Sequence, residues 1–402
     1  MMSDRFSIGF LPLVDAALPI LALEHGFAAD EGLKLRLVRD VSWATVLDRL
    51  LYGHTDAAHM VAPLAIATTL GRGRPAQKLT VPFVLGLNGN AITMRPDIAA
   101  QITEPGALGD AAKVGAKLQA LVAAGRKLRF GVVHRYSSHN YMLRYWLASC
   151  GIRPDVDVEM VTVPPPYCAD ALEAGEVDGI CVGEPWNSVA VERGAGVIVL
   201  ATAQIWRRGV EKVLALREPV LEARRAEVEA LIRALHKAAE LFVDPEALTT
   251  NAAILARTEY LDGNVALIQR ALADRMLLQR GGELIHFPDF MFQYREAANF
   301  PWVSQAQWLY SQMIRWDMPS YCSEDATTAA HVFRPDIYRS ALSGTNAPLP
   351  GASSKVEGSL YQPLAVGTQQ GNITLENNTF FDGRIFDPAA IDAYVVQDLY
   401  AK

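Results

Sequence analysis

Short apolar runs alternate with amphipathic stretches through the first half of the chain. Phe6 to Leu11 is one such run. Pro19 then stands where the first turn of a helix tolerates a missing N–H, and Ile20, Leu21, Leu23 and Phe27 come after it. Gly26 and Gly32 punctuate the stretch. Leu33, Leu35 and Leu37 alternate with Lys34 and Arg36, the period-two pattern of a half-buried strand. Ser42 is placed to cap a helix that runs to Tyr52 and ends at Gly53, and Asp56 to Met60 reads as another short strand. Strands and helices in alternation pair in parallel through right-handed crossovers, so this part predicts an open α/β lobe.

Two further apolar runs, Leu79 to Leu87 closed by Asn88-Gly89-Asn90 and Phe130 to Val133, bracket a polar, Ala/Gly-rich stretch from Arg95 to Lys127. An amphipathic helix is predicted there over Leu108 to Ala124. Residues 130–200 repeat the first pattern. Strands are expected at Phe130, Glu159 to Val163 and Gly179 to Val182, with helices over Ser138 to Cys150, around Tyr167 to Ala174 and from Pro185. After Ile198 to Ala201, the run Val213 to Leu216 predicts a strand returning to the first lobe. Leu221 to Trp316 reads as helical, and residues 317–402 are richer in Pro, Gly and Asn. The expected organisation is therefore lobe 1 from residues 1–88, lobe 2 from 89–205, a mostly helical return to lobe 1 over 206–316, and an extension over 317–402 packing on lobe 1. Two α/β lobes joined by two crossings leave a cleft where strand carboxyl ends face each other, and ligands of such sheets bind there.

Composition narrows the function. At 402 residues the chain exceeds the roughly 250–300 at which one core stops growing, in keeping with two lobes. Its 37 basic and 44 acidic residues leave a formal charge of −7, with no Lys/Arg block, which argues against direct nucleic-acid binding. Cys150, Cys168, Cys181 and Cys322 form no C-x-x-C pair and read as reduced, mostly buried thiols of a reducing compartment. No run approaches the ~18–20 apolar residues of a membrane span, so no membrane insertion is expected. Ile8 to Val14 and Ala16 to Leu23 have the look of a secretory core. Asp15 splits them, however, Asp4 sits beside Arg5 instead of a basic cluster, and Glu24-His25-Gly26 replaces a cleavage site. The expectation is a cytoplasmic protein.

Candidate chemistry lies in the loops. Gly71-Arg72-Gly73-Arg74-Pro75-Ala76 fits a dinucleotide fingerprint in letters only, because it ends a helical stretch and leads into a strand instead of opening a helix. His54/His59 and His134/His139 are five apart, a spacing that does not stack ligands on one helix face. No catalytic residue, metal or cofactor is expected, and the chain is not read as an enzyme. Five strand-end positions stand out instead: Trp43, Asn90, His139 with Ser138, Glu184 with Trp186, and Lys212. Singly, each has an ordinary explanation as packing, turn, cap or surface charge. Together they place an indole face, an amide, an imidazole and an ammonium at one cleft, which suits a small planar anion.

The segments Ser42-Trp43-Ala44-Thr45, Asp56 to Pro63, Ser138-His139-Asn140-Tyr141 with Arg144 to Ala148, Val182 to Asn187 and Glu211-Lys212-Val213-Leu214 resemble the nitrate and bicarbonate binding-protein family of ABC importers. So do Asn299-Phe300-Pro301-Trp302, Phe333-Arg334-Pro335-Asp336 and Phe381-Asp382-Gly383. The resemblance spans nearly the whole chain and implies a type II periplasmic-binding-protein fold. On the family's pattern the anion-contacting residues fall on Trp43, Asn90 (where relatives commonly carry Gln), His139 and Lys212; Ser138, Glu184 and Trp186 are candidate cleft-lining residues from their place at strand ends. A cytoplasmic branch of the family, the nitrate/nitrite sensor of nitrate-assimilation antitermination, is similar. It implies a partner, an RNA-binding antiterminator of the ANTAR type, held inactive until nitrate or nitrite binds. A substrate-binding receptor of a nitrate or bicarbonate importer is the alternative. Nitrate offers acceptors only, whereas bicarbonate also needs an acceptor for its O–H, a role open to Glu184; the balance favours nitrate and nitrite.

Overall fold

The computed structural model describes residues 5–104, 106–317, 320–397 and 399. Asp4, which counts against a basic leader, lies outside them. Lobe 1 is built on β1 (Phe6–Phe10), β2 (Leu35–Arg39), β3 (Ala57–Val61) and β4 (Leu79–Asn88). Lobe 2 follows with β5 (Asn90–Met94), β6 (Leu128–Val132), β7 (Val158–Thr162), β8 (Gly179–Gly183) and β9 (Val197–Ala201), and β10 (Val210–Arg217) returns to lobe 1. The lobe 1 sheet, completed by β13 (Met291–Phe292), runs β13-β4-β10-β3-β1-β2, and the lobe 2 sheet runs β7-β6-β8-β5-β9. In lobe 1, β1 is parallel to β2 and β3, while β10 is antiparallel to both β3 and β4. In lobe 2, β6 is parallel to β7 and β8, while β5 is antiparallel to β8 and β9. Strand β3, and β8 across the cleft, are buried along their whole length, as strands covered on both faces must be.

The crossovers are tied to each other. Asn88 and Gly89 turn the chain from β4 into β5 with φ of 60° and 86°, a left-handed stretch that Asn and Gly tolerate. The Asn88 side chain donates to Arg207 O at 2.9 Å and accepts from Gly209 N at 3.2 Å, so the first crossing is pinned to the second.

Local rules hold closely at the helix after β2. It spans Trp43–Leu51, and Ser42 Oγ accepts from Thr45 N at 3.2 Å. Elsewhere the structure departs from the predicted pattern. The pattern does not predict β5, because a short segment buried on both faces carries no alternation. The stretch that reads as helical to Trp316 is interrupted by β11 (Arg275–Leu277), β12 (Leu284–His286) and β13, with Asp274 and Asp289 in left-handed conformations at the breaks. Beyond it lie helices Ser323–Val332 and Pro335–Leu342 and a hairpin of β14 (Leu364–Thr368) and β15 (Gly371–Leu375). No helix of the described residues is long and apolar enough to cross a membrane.

The tail, expected on lobe 1, also grips lobe 2. Phe380 stacks on Trp206 with ring centroids 5.0 Å apart and meets Trp308 and Tyr145 at 5.6 Å each. Its neighbours bond to the second crossing, Phe381 N to Ile205 O at 2.9 Å and Arg207 N to Thr379 O at 3.1 Å. Asp382 accepts from Tyr145 and Ser149, both on the lobe 2 helix Ser138–Ser149, at 2.9 Å each. The reason is aromatic: a ring the size of Phe380 buries most favourably among other rings, and these come from both lobes. Phe380→Ala is expected to cost about 3–5 kcal/mol of unfolding free energy, read from denaturant midpoints. A loss under about 1 kcal/mol would mean the tail does not help hold the lobes.

Candidate functional site

Each sequence-predicted position lies at the lobe junction for a structural reason. Trp43 opens the helix after β2, Asn90 is the first residue after the first crossing, and Lys212 sits near the start of β10 after the second. Ser138 and His139 open the helix after β6, whose cap is Ser137: its Oγ accepts from Asn140 N at 3.1 Å. The positive end of that helix faces the cleft, where it favours an anion. Glu184 comes directly after β8, and its carbonyl accepts from Val14 N at 2.8 Å, a bond that joins the two lobes.

The centre of the cluster is the Lys212 ammonium, which has no exposed surface. It lies 2.7 Å from Asp15 Oδ2, 2.5 Å from Glu211 Oε1 and 5.4 Å from the centre of the Trp43 ring. Asp15 in turn meets His59 Nε2 at 2.9 Å, and the His59 and Trp43 rings are 5.3 Å apart. From lobe 2, His139 Nδ1 reaches Glu211 Oε1 at 3.2 Å, without the alignment of a hydrogen bond. A methyl group added to Gly183 would sit 3.2 Å from both Asn90 Oδ1 and Asp15 Oδ2, so the Asn90 amide and the Asp15 carboxylate converge over this glycine. Trp43, Asn90, His139 and Lys212 are thus brought together.

The three secondary positions differ. Ser138 is buried beside His139 with its hydroxyl unpartnered. One Glu184 oxygen accepts from Ser188 N at 3.2 Å and the other is unpartnered. Trp186 is partly buried, and its indole N–H is also without a partner. Asp15, His59 and Glu211 are additions that the strand-end pattern does not single out. Asp15 gives a signal all the same: a lone carboxylate inside an apolar stretch must find a buried cation, and it finds Lys212. Glu211, beside Lys212 at the head of a buried strand, gives a similar one.

Burial sets the electrostatics. It would raise the Asp15 carboxyl, yet Lys212 and His59 hold it well below the usual carboxylate range. It would lower Lys212, yet Asp15 and Glu211 raise the ammonium above its ordinary value. His139 is pushed down to about 4 by burial, against the pull of Glu211, and His59 is also lowered by burial, against the pull of Asp15. Burial raises Glu184 to about 7. The site therefore holds a protonated lysine, an ionised aspartate and two neutral imidazoles at neutral pH. Several donors and acceptors around Lys212 have no partner, among them Trp43 Nε1, Asn90 Oδ1, Ser138 Oγ and His139 Nε2. Unsatisfied polar atoms buried together mark a place for a polar guest. Two open surface grooves of about 940 Å³ each, one beside Phe242 and Arg270 and one beside Lys78 and Arg334, contain none of these residues.

The buried histidines predict an acid-sensitive fold. The His139 value falls from 6.5 in the unfolded chain to about 4 in the folded one, so the unfolded chain binds the extra proton in that window. Its contribution is complete above about pH 6.5 and fades as pH falls towards 4, by an amount on the order of 3 kcal/mol. Asp15, depressed on folding, acts in the same direction below the ordinary carboxylate range. Glu184 and Asp274, raised on folding to about 7 and about 6, work the other way in the same window, so the His139 contribution is read by difference: the unfolding free energy of the parent chain relative to His139→Gln should rise between about pH 4 and 7 by up to about 3 kcal/mol.

Residues 3–256 match the model of the NMT1-like family. The nitrate/nitrite binding protein NrtA of Synechococcus elongatus is 29% identical over 402 residues, covering 97% of this chain and 85% of its own length. The nitrate import ATP-binding protein NrtC of Synechocystis is 32% identical over 339 residues, 84% of this chain; this chain spans only half (50%) of that relative's length. The crystal structure of the periplasmic nitrate-binding protein NrtA from Synechocystis superposes with a TM-score of 0.86 at 25% identity, covering 99% of both chains. The two-lobe architecture is therefore a type II periplasmic-binding-protein fold. The relatives matched along most of their length are solute-binding proteins and not enzymes.

Proposed function

The chain belongs to the NMT1-like family, and we propose that it encloses a small planar oxyanion, nitrate or nitrite, between its lobes and reports that occupancy to a protein partner. The observation that carries the anion reading is the wholly buried Lys212 ammonium in a site where buried donors, Trp43 Nε1, Ser138 Oγ and a His139 ring nitrogen, have no partner. Lys212 supplies the charge, Asn90 an amide at the first crossing, Trp43 an indole face or N–H, and His139 with Ser138 the donors at a helix N-terminus. The similarity to NrtA supports an anion of this class. Bicarbonate is the competing ligand, because the unpartnered Glu184 oxygen could accept its O–H.

A micromolar site corresponds to about −8 kcal/mol, of which only the difference between open and closed lobes moves an equilibrium. A coupling of about 1–3 kcal/mol would change partner affinity by roughly 5–150-fold, enough for a switch. Resemblance to the cytoplasmic sensor branch supports an RNA-binding antiterminator of the ANTAR type as that partner, held when the site is empty and released when it fills. On this reading the protein works in the cytoplasm and touches the regulator instead of RNA, consistent with its net charge of −7. The names of the relatives support the alternative role, the receptor of a nitrate or bicarbonate importer.

Calorimetric titration of ligand-free protein with nitrate, nitrite and bicarbonate should give binding of nitrate or nitrite, and Lys212→Ala should weaken it at least 100-fold. Binding of bicarbonate alone would reassign the ligand. In a pull-down with the antiterminator, nitrate should lower the amount retained. Retention that nitrate leaves unchanged would remove the sensor role and favour the receptor.

A further inference from the structure

We propose that an anion entering this site, on the reading given under Proposed function, takes up a proton with it, and that the proton settles on His139 because Glu211 faces that ring. The argument begins with charge. Two carboxylates, Asp15 at 2.7 Å and Glu211 at 2.5 Å, share the single Lys212 ammonium. Two carboxylates and one ammonium give the triad a formal charge of −1 before any ligand arrives. A monoanion would bring it to −2 in a space where Asp15, the most exposed of the three, is only 5% exposed. Uncompensated like charges in such a site are strongly unfavourable, and an added proton is the simplest remedy.

The groups that face the His139 ring decide where that proton goes. Glu211 and Lys212 come from β10 and Asp15 from the turn after β1. Behind them, His59 on β3 meets Asp15, Cys181 on β8 lies in the field of Glu211, and Glu184 comes after β8. His59 is already turned to Asp15 through Nε2. In both rings the other nitrogen is buried without a partner; His139 differs in coming from lobe 2, so that its Nδ1 meets Glu211 Oε1 at 3.2 Å across the cleft that a guest would enter. The Nε2 lone pair accepts a proton delivered from solvent, giving an imidazolium with one N–H towards Glu211 and the other free for an anion oxygen. No other bond forms or breaks. Glu211 is thus a positioning residue. It stabilises the charged ring, and it also creates the excess negative charge that the proton offsets.

The consequence is linkage. Where the free ring is neutral and the bound ring is charged, each tenfold drop in proton concentration weakens binding by up to tenfold. Nitrate is the probe, because it carries no titrating proton in this range. The whole chain is titrated with nitrate near pH 6 in two buffers of different ionisation enthalpy, and Kd is then followed to about pH 8. The expected result is uptake of close to one proton and a Kd that weakens by up to about tenfold per pH unit. Glu211→Gln should bring the uptake near zero, flatten the pH profile and tighten binding at the alkaline end. Nitrate binding with equal heats in both buffers and a flat Kd would overturn the inference while leaving the anion site standing. Unchanged uptake in Glu211→Gln would overturn the role of Glu211, and if that variant does not fold, the two-buffer measurement on the parent chain decides. Binding of bicarbonate alone, which carries its own proton, would also overturn it. Failure of all three anions to bind would remove the site and the inference together.

Discussion

An ammonium buried without any exposed surface constrains the rest of this molecule. Lys212 can stay charged away from water only if its partners stay in place, and those partners come from distant parts of the chain: Asp15 after β1, Glu211 beside it on β10, and the Trp43 ring at the head of a helix. Separating one of them leaves a buried charge short of compensation, a fault that costs several kcal/mol in proteins generally. The lobe 1 sheet order places β10 between β3 and β4, so that β10 carries Lys212 into the middle of this arrangement. His59 on the neighbouring β3 secures Asp15 from the other side.

The same residues connect the lobes. His139 and Glu211 meet across the cleft, as do Val14 and Glu184. The two chain crossings are pinned by Asn88, and the tail carries Phe380 and Asp382 from the second crossing onto the lobe 2 helix. A guest in the site would therefore touch groups from both lobes at once. Differential contact of that kind is what lets a ligand favour one lobe arrangement over another. The aromatic cluster of Tyr145, Trp206, Trp308 and Phe380 limits how far the lobes can separate on the side it occupies.

Much of the local structure is legible in the chain because local chemistry suffices. Ser42 ahead of Trp43 announces a helix cap, Leu35 and Leu37 between charged neighbours mark β2, and Pro19 marks the start of a helix. The elements that escape are those whose identity depends on distant partners. β5 is five residues with no alternation, a strand only because β8 and β9 flank it. β13 is two residues long and exists because β4 offers a free edge. The tail has no period, yet Phe380 is buried among three other rings contributed by separate segments.

The sequence by itself determined the two α/β lobes, the strand-end loops that carry chemistry, and Trp43, Asn90, His139 and Lys212 as the side chains to watch. Those conclusions rest on periodicity, caps and residue type, which act over a few residues, and on the family likeness. Tertiary structure alone decided that Asp15, His59 and Glu211 join them. It also decided that Asp15 and Glu211 keep Lys212 charged against the effect of burial, while burial keeps the two imidazoles neutral. The reason is that desolvation and charge pairing depend on distances in space, and no spacing along the chain encodes the few ångströms between residues 15 and 212.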